Sequence, residues 1–516
     1  MAVAGCLALL AAGWTAFVLA AASERLPHHV PAAAQVALAL AVVLTIATSR
    51  RTYPAGARWL AGWMVLLPTA VLAAHALSKS ATLAVGAPVL VASALLARRL
   101  PTANVLLALV VTGFYGTISA FTSLPGGKLI DVLLAGMLAA LIWELLFARR
   151  RDVIVLPAGV LCLLGLGLVG MAHVATAPNM SFALHFLRSS TVYVLVLVLV
   201  ALLARRDEVA RQVARGILIV ALAVAGYAVF RYIVGPAHKE ELLAASQPYN
   251  HNNGALRLIG SLLSRHQLAV WLGGILPFCA AAALASGRRT RIATVALAVL
   301  SGVAIMATNS RGGFLAAIVG VVAVVLLLNC APAFPRFQLG HAALAALAAT
   351  AVGAVAMTLT LTPSDRRHFE NILHPGQDQA YQARQVKWRA ARHSIARHPW
   401  GLGLGQGSGL SDAQGGTDHV GAHNIDNSYL TLAYEQGWAA ILLFAGGLIL
   451  IAVRLTGHVR RCRDPLSAGL AAGGCATLLS FAAAMYGGNY LVGTTALAVW
   501  IAVGLGVSRV IGLGRA

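Results

Sequence analysis

Residues 363 to 428 form a polar stretch, rich in glycine and histidine, between segments that are almost wholly apolar. This stretch contains RQVKWRAARHSIARHPWGLGLG and, further on, the start of HVGAHNIDNSYLTLAYEQG. Side chains of these types offer two kinds of chemistry: guanidinium groups bind anions, and a histidine or a carboxylate removes a proton. His423 and Asp426 are the candidate bases, because both directly precede an apolar segment and a loop side chain there faces back towards the membrane.

Arginines are the candidate anion ligands. Arg311 lies in TNSRGG, where the two following glycines leave its guanidinium open to a ligand. Arg384 lies in residues 380–397, whose apolar residues recur at helical spacing and predict an amphipathic helix that Pro399 ends. An arginine donates two parallel charge-assisted hydrogen bonds to a phosphate. The same arginines also suit plain contact with lipid headgroups, and both interpretations stay open at this point.

The composition indicates a membrane protein, since 59% of the residues are hydrophobic and only 10% are charged, with a mean hydropathy of +0.80. Repeated apolar runs of about 20 residues predict helices that cross a bilayer. We therefore expect an all-α polytopic membrane protein with about 14–16 transmembrane helices and one large polar loop domain.

The net charge of +22 suggests a nucleic-acid partner, but the distribution of charge argues against one. If the N-terminus is cytoplasmic, more than half of the 38 Lys and Arg residues fall in alternate short loops, as the positive-inside rule requires. We therefore expect no nucleic-acid partner. Other basic residues, Arg257 and Arg265 among them, fall on the opposite side, where an anionic ligand would account for them.

Three ordered elements on one side of the membrane resemble the O-antigen ligase and O-antigen polymerase superfamily, over roughly residues 255–450. The matching residues are Ser310-Arg311-Gly312-Gly313, Arg384 with Trp388, Pro399-Gly401-Gly403-Gly405, and His423-Asn424 or Asp426-Asn427 with Tyr429, Leu430, Glu435 and Gly437. One departure concerns the base. Counted back from Gly437, the register in which ligases of this superfamily carry a histidine falls on Asp426, and His423 lies three residues upstream.

The resemblance implies a GT-C-like glycosyltransferase of the bacterial inner membrane with its active site facing the periplasm. It implies transfer of a glycan from undecaprenyl pyrophosphate to an acceptor hydroxyl, with inversion, in lipopolysaccharide or exopolysaccharide biosynthesis. The acceptor is a lipid A-core for a ligase and another carrier-linked glycan for a polymerase. Membrane lipids are the remaining partners. We expect no cofactor and no metal, because the first outer loop offers only Glu24 as an acidic ligand and arginines supply the positive charge.

On this interpretation the catalytic residues are Arg311 and Arg384, which stabilise the leaving diphosphate, and either His423 or Asp426 as base. The expected substrate-binding residues are Arg257, Arg265, Ser310, Trp388, Arg392, Asn424, Asn427 and Tyr429. Trp388 and Tyr429 are expected either to stack on sugar rings or to pack within the protein.

The predicted organisation has five regions. They are N-terminal transmembrane helices (1–230), a smaller periplasmic loop (231–265), transmembrane helices carrying SRGG (266–362), the large periplasmic catalytic loop (363–436) and C-terminal transmembrane helices (437–516).

The alternative function is a polytopic lipid or polysaccharide transporter or flippase. Transporters bury ionisable residues near the middle of the membrane, whereas the 16 acidic residues here lie in loops or near the ends of predicted spans. A non-enzymatic assembly scaffold is a third class, and it would tolerate loss of Arg311 or Arg384.

Overall fold

A computed structural model describes residues 93, 101–122, 130–138, 153–175, 183, 186–187, 190, 193–245, 251–252, 255–256, 258–334, 379–407, 425–491 and 493–514. The predicted spans before residue 93, and the predicted site residues Arg257, His423 and Asn424, lie outside these ranges.

Thirteen helices are assigned in this part of the chain. They are α1 (Pro101–Gly113), α2 (Tyr115–Thr122), α3 (Ala158–Ala175), α4 (Tyr193–Leu203), α5 (Asp207–Val234), α6 (His238–Ala245), α7 (Arg265–Leu284), α8 (Arg288–Thr308), α9 (Arg311–Asn329), α10 (Gln379–Arg397), α11 (Ser428–Val459), α12 (Pro465–Tyr486) and α13 (Thr494–Val507). A single 3-10 turn, Gly260–Leu262, precedes α7.

Two antiparallel ladders of very short strands accompany the helices. β1 (Val153–Val155) pairs with β4 (Gly512–Gly514), and β2 (His251–Asn252) pairs with β3 (Ala255–Leu256). These strands only tie chain segments together, and the architecture is all-α.

Six helices, α5, α7, α8, α9, α11 and α12, are long and apolar enough to cross a membrane. A seventh span results if α1 and α2, which meet at a bend of 75°, are counted as one; α3, α4 and α13 are shorter apolar helices. The prediction of an all-α polytopic membrane protein is therefore confirmed. The total of about 14–16 spans stays a prediction, because several of them lie outside the described residues.

The centre of the bundle is the contact between α7, α9 and α12. A Cβ at Gly313 would lie only 2.3 Å from the Cβ of Ala269, so the third residue of α9 must be glycine for the two helices to approach this closely. The hydroxyl of Ser480 on α12 donates to the carbonyls of Gly273 (3.1 Å) and Ala316 (2.7 Å). Close approach of small residues with interhelical hydrogen bonds is typical of helix packing in membranes.

This contact sets the N-termini of α7 and α9 side by side, and we call that end of the bundle the site end. α8 connects the two helices and runs the other way, from Arg288 at the opposite end to Thr308 at the site end. At the opposite end, Arg509 Nη1 lies 2.5 Å from Asp207 Oδ1, which joins the residues just beyond α13 to the start of α5.

Candidate active site

The TNSRGG segment forms the site end of α9. Asn309 ends α8 in a left-handed backbone conformation (φ 57°), and Ser310 caps α9 by accepting a hydrogen bond from the Gly313 amide (3.5 Å). Arg311 is consequently the first residue of α9, and its Nε is shielded from solvent. Because a helix N-terminus carries partial positive charge, Arg311 and the adjacent amides favour an anionic ligand.

The start of α7 lies against this segment. Ser264 caps α7 and Arg265 is its first residue, with Nε and Nη1 shielded from solvent. His266 Nδ1 lies 3.2 Å from Ser310 Oγ. The two helix N-termini, each led by an arginine, therefore meet through a side-chain hydrogen bond.

Arg384 reaches the site from α10, whose bounds agree with the amphipathic helix predicted over residues 380–397. Its Nε lies 3.4 Å from Asp426 Oδ2, and both side chains are 34% exposed. An ion pair open to water in this way contributes little to stability. An incoming anion competes with Asp426 for the guanidinium at small cost.

Asn427 caps α11. Its Oδ1 accepts hydrogen bonds from the amides of Tyr429 (3.0 Å) and Leu430 (3.1 Å), and its Nδ2 donates to the carbonyl of Tyr486 (3.1 Å). Asparagine is among the residues preferred at this position because its side chain satisfies helix N–H groups. The cap fixes the backbone beside Asp426; a role of Asn427 in binding substrate stays a prediction.

The two aromatic residues of the predicted site have partners within the protein. Trp388 is 5% exposed, and its ring meets those of Tyr381 and Tyr486 edge-on, with centroids 6.3 and 5.3 Å away. Tyr429 packs against Phe444, with centroids 6.2 Å apart. The Tyr429 hydroxyl donates to the carbonyl of Ala482 (2.8 Å). These contacts favour the packing alternative over sugar stacking for both residues.

Arg392 lies two turns after Arg384 on α10. Its side chain is exposed, and its Nε donates to the carbonyl of Trp388 (3.3 Å). The proposed substrate contact of Arg392 stays a prediction, as do those of Arg257 and Asn424, which lie outside the described residues.

Tyr490, between α12 and α13, is the residue on which the other groups converge. It is 7% exposed and shares a hydrogen bond with the Ser310 side chain. Burial raises the pKa of Tyr490 to about 12; the charges of Arg384 and Arg265 oppose that shift and the charge of Asp426 adds to it. The charges of one residue each from α7, α10 and the segment before α11, together with the Ser310 hydroxyl at the start of α9, therefore act on one protonated hydroxyl.

The glycine-rich segment after α10 closes a break in α11. Gly437 has a left-handed backbone (φ 77°) that interrupts α11 and leaves carbonyls on one side of the break and an amide on the other without helical partners. The amide of Leu402 donates to the carbonyl of Tyr434 (2.8 Å), and that of Trp438 donates to the carbonyl of Pro399 (3.0 Å). The motif Pro-x-Gly-x-Gly-x-Gly therefore has a structural role: it bonds to both sides of the break in α11.

Two further features stabilise this contact between the glycine-rich segment and α11. Gly401, Gly403 and Gly405 all have positive φ, a conformation that favours glycine. The buried Glu435 accepts a hydrogen bond at Oε1 from the Gly407 amide (2.9 Å). The Glu-x-Gly element of the resemblance therefore has a structural role: its glutamate anchors the loop and its glycine creates the break that the loop fills.

Sequence reasoning did not identify Tyr490 or His266. Neither residue lies in the motifs that carry the resemblance, and a tyrosine between two apolar helices is by itself an ordinary interfacial residue. The only local signal is the Gly487-Gly488 pair before Tyr490, which marks a tight turn at a helix end.

A family model described as O-Antigen ligase matches residues 296–445. The match covers less than a third of the chain; it contains Arg311, Arg384 and Asp426, whereas Arg265 and Tyr490 lie outside it. No curated protein matches the chain. The family match covers the three motif elements in the order noted above, so the resemblance is confirmed: over residues 296–445 the chain is similar to the O-antigen ligase family.

Proposed function

We propose that this protein transfers a glycan from undecaprenyl pyrophosphate to an acceptor hydroxyl at the periplasmic face of a bacterial inner membrane. The family match supports a glycosyltransferase of the O-antigen ligase or polymerase type. One observation carries the finer proposal: the Tyr490 hydroxyl lies against the start of α9, where Arg311 is the first residue, and the charges of Arg265 and Arg384 act on the same hydroxyl at one end of an apolar bundle. This is a site for a compact, highly charged anion at a membrane surface.

The reaction breaks the bond between the anomeric carbon and the diphosphate oxygen, and it forms a bond from that carbon to the acceptor oxygen. Both electrons of the broken bond leave with the diphosphate, and the acceptor proton passes to a base. Negative charge therefore grows on the leaving oxygen as the bond breaks. Arg311 and Arg384, with Arg265 and Arg257 in support, stabilise that charge more strongly in the transition state than in the ground state.

We assign the base to His423 and give Asp426 a second role. The carboxylate of Asp426 lies 3.4 Å from Arg384 Nε, so it orients the guanidinium before substrate binds. A histidine titrates at about 6.5 and suits proton removal near neutral pH. Attack by the activated hydroxyl directly on the donor inverts the anomeric centre, and guanidinium groups take the part of a metal ion.

For the acceptor, we propose a growing glycan rather than a lipid A-core, which makes the enzyme a polymerase of O-antigen or exopolysaccharide. The support is the Asp426-Asn427 pair in the register where ligases carry histidine. Deleting the gene tests this choice. A polymerase mutant caps the lipid A-core with single repeats or loses its exopolysaccharide, whereas a ligase mutant accumulates carrier-linked polymer.

The activity is tested with purified protein, a defined undecaprenyl-pyrophosphate glycan donor and an acceptor glycan, by measuring transfer product. We expect Arg311→Ala to lower turnover by about 10²–10³-fold, the range for loss of one charge-stabilising group. Arg288→Ala is the matched control, because Arg288 also begins a long apolar helix but lies exposed at the opposite end of the bundle.

Absence of transfer by the wild-type protein overturns the proposal. Undiminished transfer by Arg311→Ala overturns the assignment of that arginine. If the wild type instead moves the lipid-linked donor across a vesicle membrane without forming product, the transporter alternative replaces the enzyme.

A further inference from the structure

Residues 486–491, which comprise the last residue of α12 and the five that follow it towards α13, touch each of the three motif elements. We call this segment the connector. It lies outside the region that the family model matches, and no motif of the resemblance includes it. Its contacts nevertheless reach α9, α10 and the start of α11.

The connector is bonded first to the start of α11. The amide and the hydroxyl of Ser428 both donate to the carbonyl of Gly488, at 3.2 and 2.9 Å. The Ser428 hydroxyl oxygen in turn accepts from the amide of Tyr490 (2.9 Å). Asn427 adds the bond from its Nδ2 to the carbonyl of Tyr486 (3.1 Å). The backbone next to Asp426 is thereby fixed to the connector.

A second contact joins the connector to α9. The Tyr490 hydroxyl shares a hydrogen bond with Ser310, and a Cβ at Gly312 would lie 3.4 Å from that hydroxyl. A Cβ at Gly487 would lie 3.9 Å from the Cα of Gly312. The tyrosine therefore lies directly against the SRGG segment, where any larger residue at position 312 would contact it.

The third contact reaches α10. The ring of Tyr486 meets that of Trp388 edge-on, with centroids 5.3 Å apart. Trp388 lies one turn beyond Arg384 on the same helix, so this packing sets how α10 lies against the bundle.

We propose that the connector is a positioning element for the diphosphate site and that Tyr490 is its central positioning residue. This inference rests on the proposed function. Arg311, Arg384 and Asp426 come from three different parts of the chain, and none of them fixes the others through its own helix. Tyr490 joins them through its hydroxyl, which contacts Ser310, and through its backbone amide, which donates a hydrogen bond to Ser428. Small errors in placing charged groups around a reacting bond are costly to turnover.

The hydroxyl acts as a hydrogen-bonding group and not as an acid or base. Burial raises the pKa of Tyr490 to about 12, so the group stays protonated throughout the range in which a histidine base works. The effect of removing the hydroxyl should therefore be independent of pH.

The test is Tyr490→Phe, which keeps the ring and removes the hydroxyl. We expect kcat to fall roughly 10–100-fold with a smaller change in the donor KM, and the ratio of variant to wild-type rates to stay constant between about pH 6 and about pH 9. Tyr227→Phe is the control: its hydroxyl donates to Glu240 (2.6 Å), away from the motifs, and its loss should leave kcat unchanged.

Adding Ser310→Ala separates positioning from a general loss of structure. If Tyr490 acts through Ser310, the double variant is about as active as the weaker single variant, because both changes remove one shared interaction. Two results overturn this inference and leave the proposed function standing. One is a double variant whose loss of kcat equals the product of the two single losses; the other is a Tyr490→Phe variant with the same kinetics as an active wild type.

Hydrogen exchange gives a readout that does not need activity. Tyr490→Phe should speed amide exchange in residues 310–313 relative to Tyr227→Phe, because that segment loses its link to the connector, whereas residues 427–430 keep the bond from the Tyr490 amide to Ser428. Unchanged exchange in residues 310–313 overturns the inference even if no transfer reaction is found. Absence of transfer by the wild-type protein, in contrast, overturns the proposed function.

Discussion

Two arginine–carboxylate pairs contribute differently at the site end of the bundle. In one, Arg384 Nε lies 3.4 Å from Asp426 Oδ2 and each side chain is 34% exposed. In the other, Arg231 Nε lies 3.1 Å from Glu240 Oε2, and the side chains are 16% and 1% exposed. The first pair is open to solvent and the second is closed.

The carboxylate of the closed pair has both of its oxygens occupied within the protein. Glu240 Oε1 accepts from the hydroxyls of Thr117 (2.9 Å) and Tyr227 (2.6 Å), and Oε2 accepts from the Ala237 amide (3.2 Å). The Arg231 guanidinium lies over the Tyr227 ring at 5.1 Å. A buried charge with a complete set of partners holds helices together and has no capacity left for a ligand.

The open pair belongs to a cluster in which cations outnumber anions. Among the described residues of the site, three arginines, Arg265, Arg311 and Arg384, accompany one carboxylate, that of Asp426, which pairs with Arg384. The role of an arginine at a membrane surface is therefore best assigned from how fully the protein itself satisfies its charge and its hydrogen-bonding groups.

Replacing the candidate bases tests whether the open pair orients or reacts. We expect His423→Ala to lower turnover by about 10²–10⁴-fold, because a general base is lost. Asp426→Asn should retain about a tenth of the activity, since Arg384 loses only its orienting partner. His398→Ala, an exposed histidine, is the control. If Asp426→Asn is the inactive variant, Asp426 is the base and the assignment is wrong.

Truncating the arginine of the open pair tests its charge. Arg384→Ala should lower turnover by about 10²–10³-fold through loss of stabilisation of the diphosphate, while the thermal unfolding midpoint stays near that of the wild type. Arg389→Ala, an exposed arginine on the same helix, should keep full activity. If Arg384→Ala lowered the unfolding midpoint as much as disruption of the closed pair does, the open pair would also be structural and the two pairs would not differ in role.

Neutralising the carboxylate of the closed pair should affect stability alone. Glu240→Gln leaves the Arg231 charge without its partner and should lower the free energy of unfolding by about 3 kcal/mol, with turnover of the folded fraction unchanged. Thermal unfolding in detergent measures the loss, and the exposed neighbour Glu241→Gln controls for it. Reduced turnover without reduced stability would place Arg231 in the active site.

Chelation should have no effect. With guanidinium groups supplying the positive charge, transfer in the presence of EDTA should equal transfer with added Mg²⁺, in the same assay as the variants. A loss of activity that Mg²⁺ restores contradicts the metal-independent mechanism.

Much of the helical architecture was predictable. The predicted helix 380–397 corresponds to α10 (Gln379–Arg397), and α12 (Pro465–Tyr486) lies in the region 437–516 that was predicted to hold transmembrane helices. The span predicted from residue 437 differs, because α11 begins at Ser428 and Gly437 interrupts it. Glycine-rich loops are poorly predicted for a physical reason: what Gly401 to Gly405 do depends on carbonyls freed in another segment of the chain.

Local sequence patterns were enough to predict the class of protein, many of its helices and the motif residues that carry the resemblance; the side of the membrane on which the charges lie stays a prediction. Hydropathy, helical period and capping depend on a few neighbouring residues, so they can be predicted from short stretches of sequence. Only the tertiary structure decided that Asp426 pairs with Arg384, that Trp388 is buried, and that Tyr490 bonds to Ser310. These contacts join side chains from separate helices, and only the packing of α7, α9 and α12 brings those helix ends together.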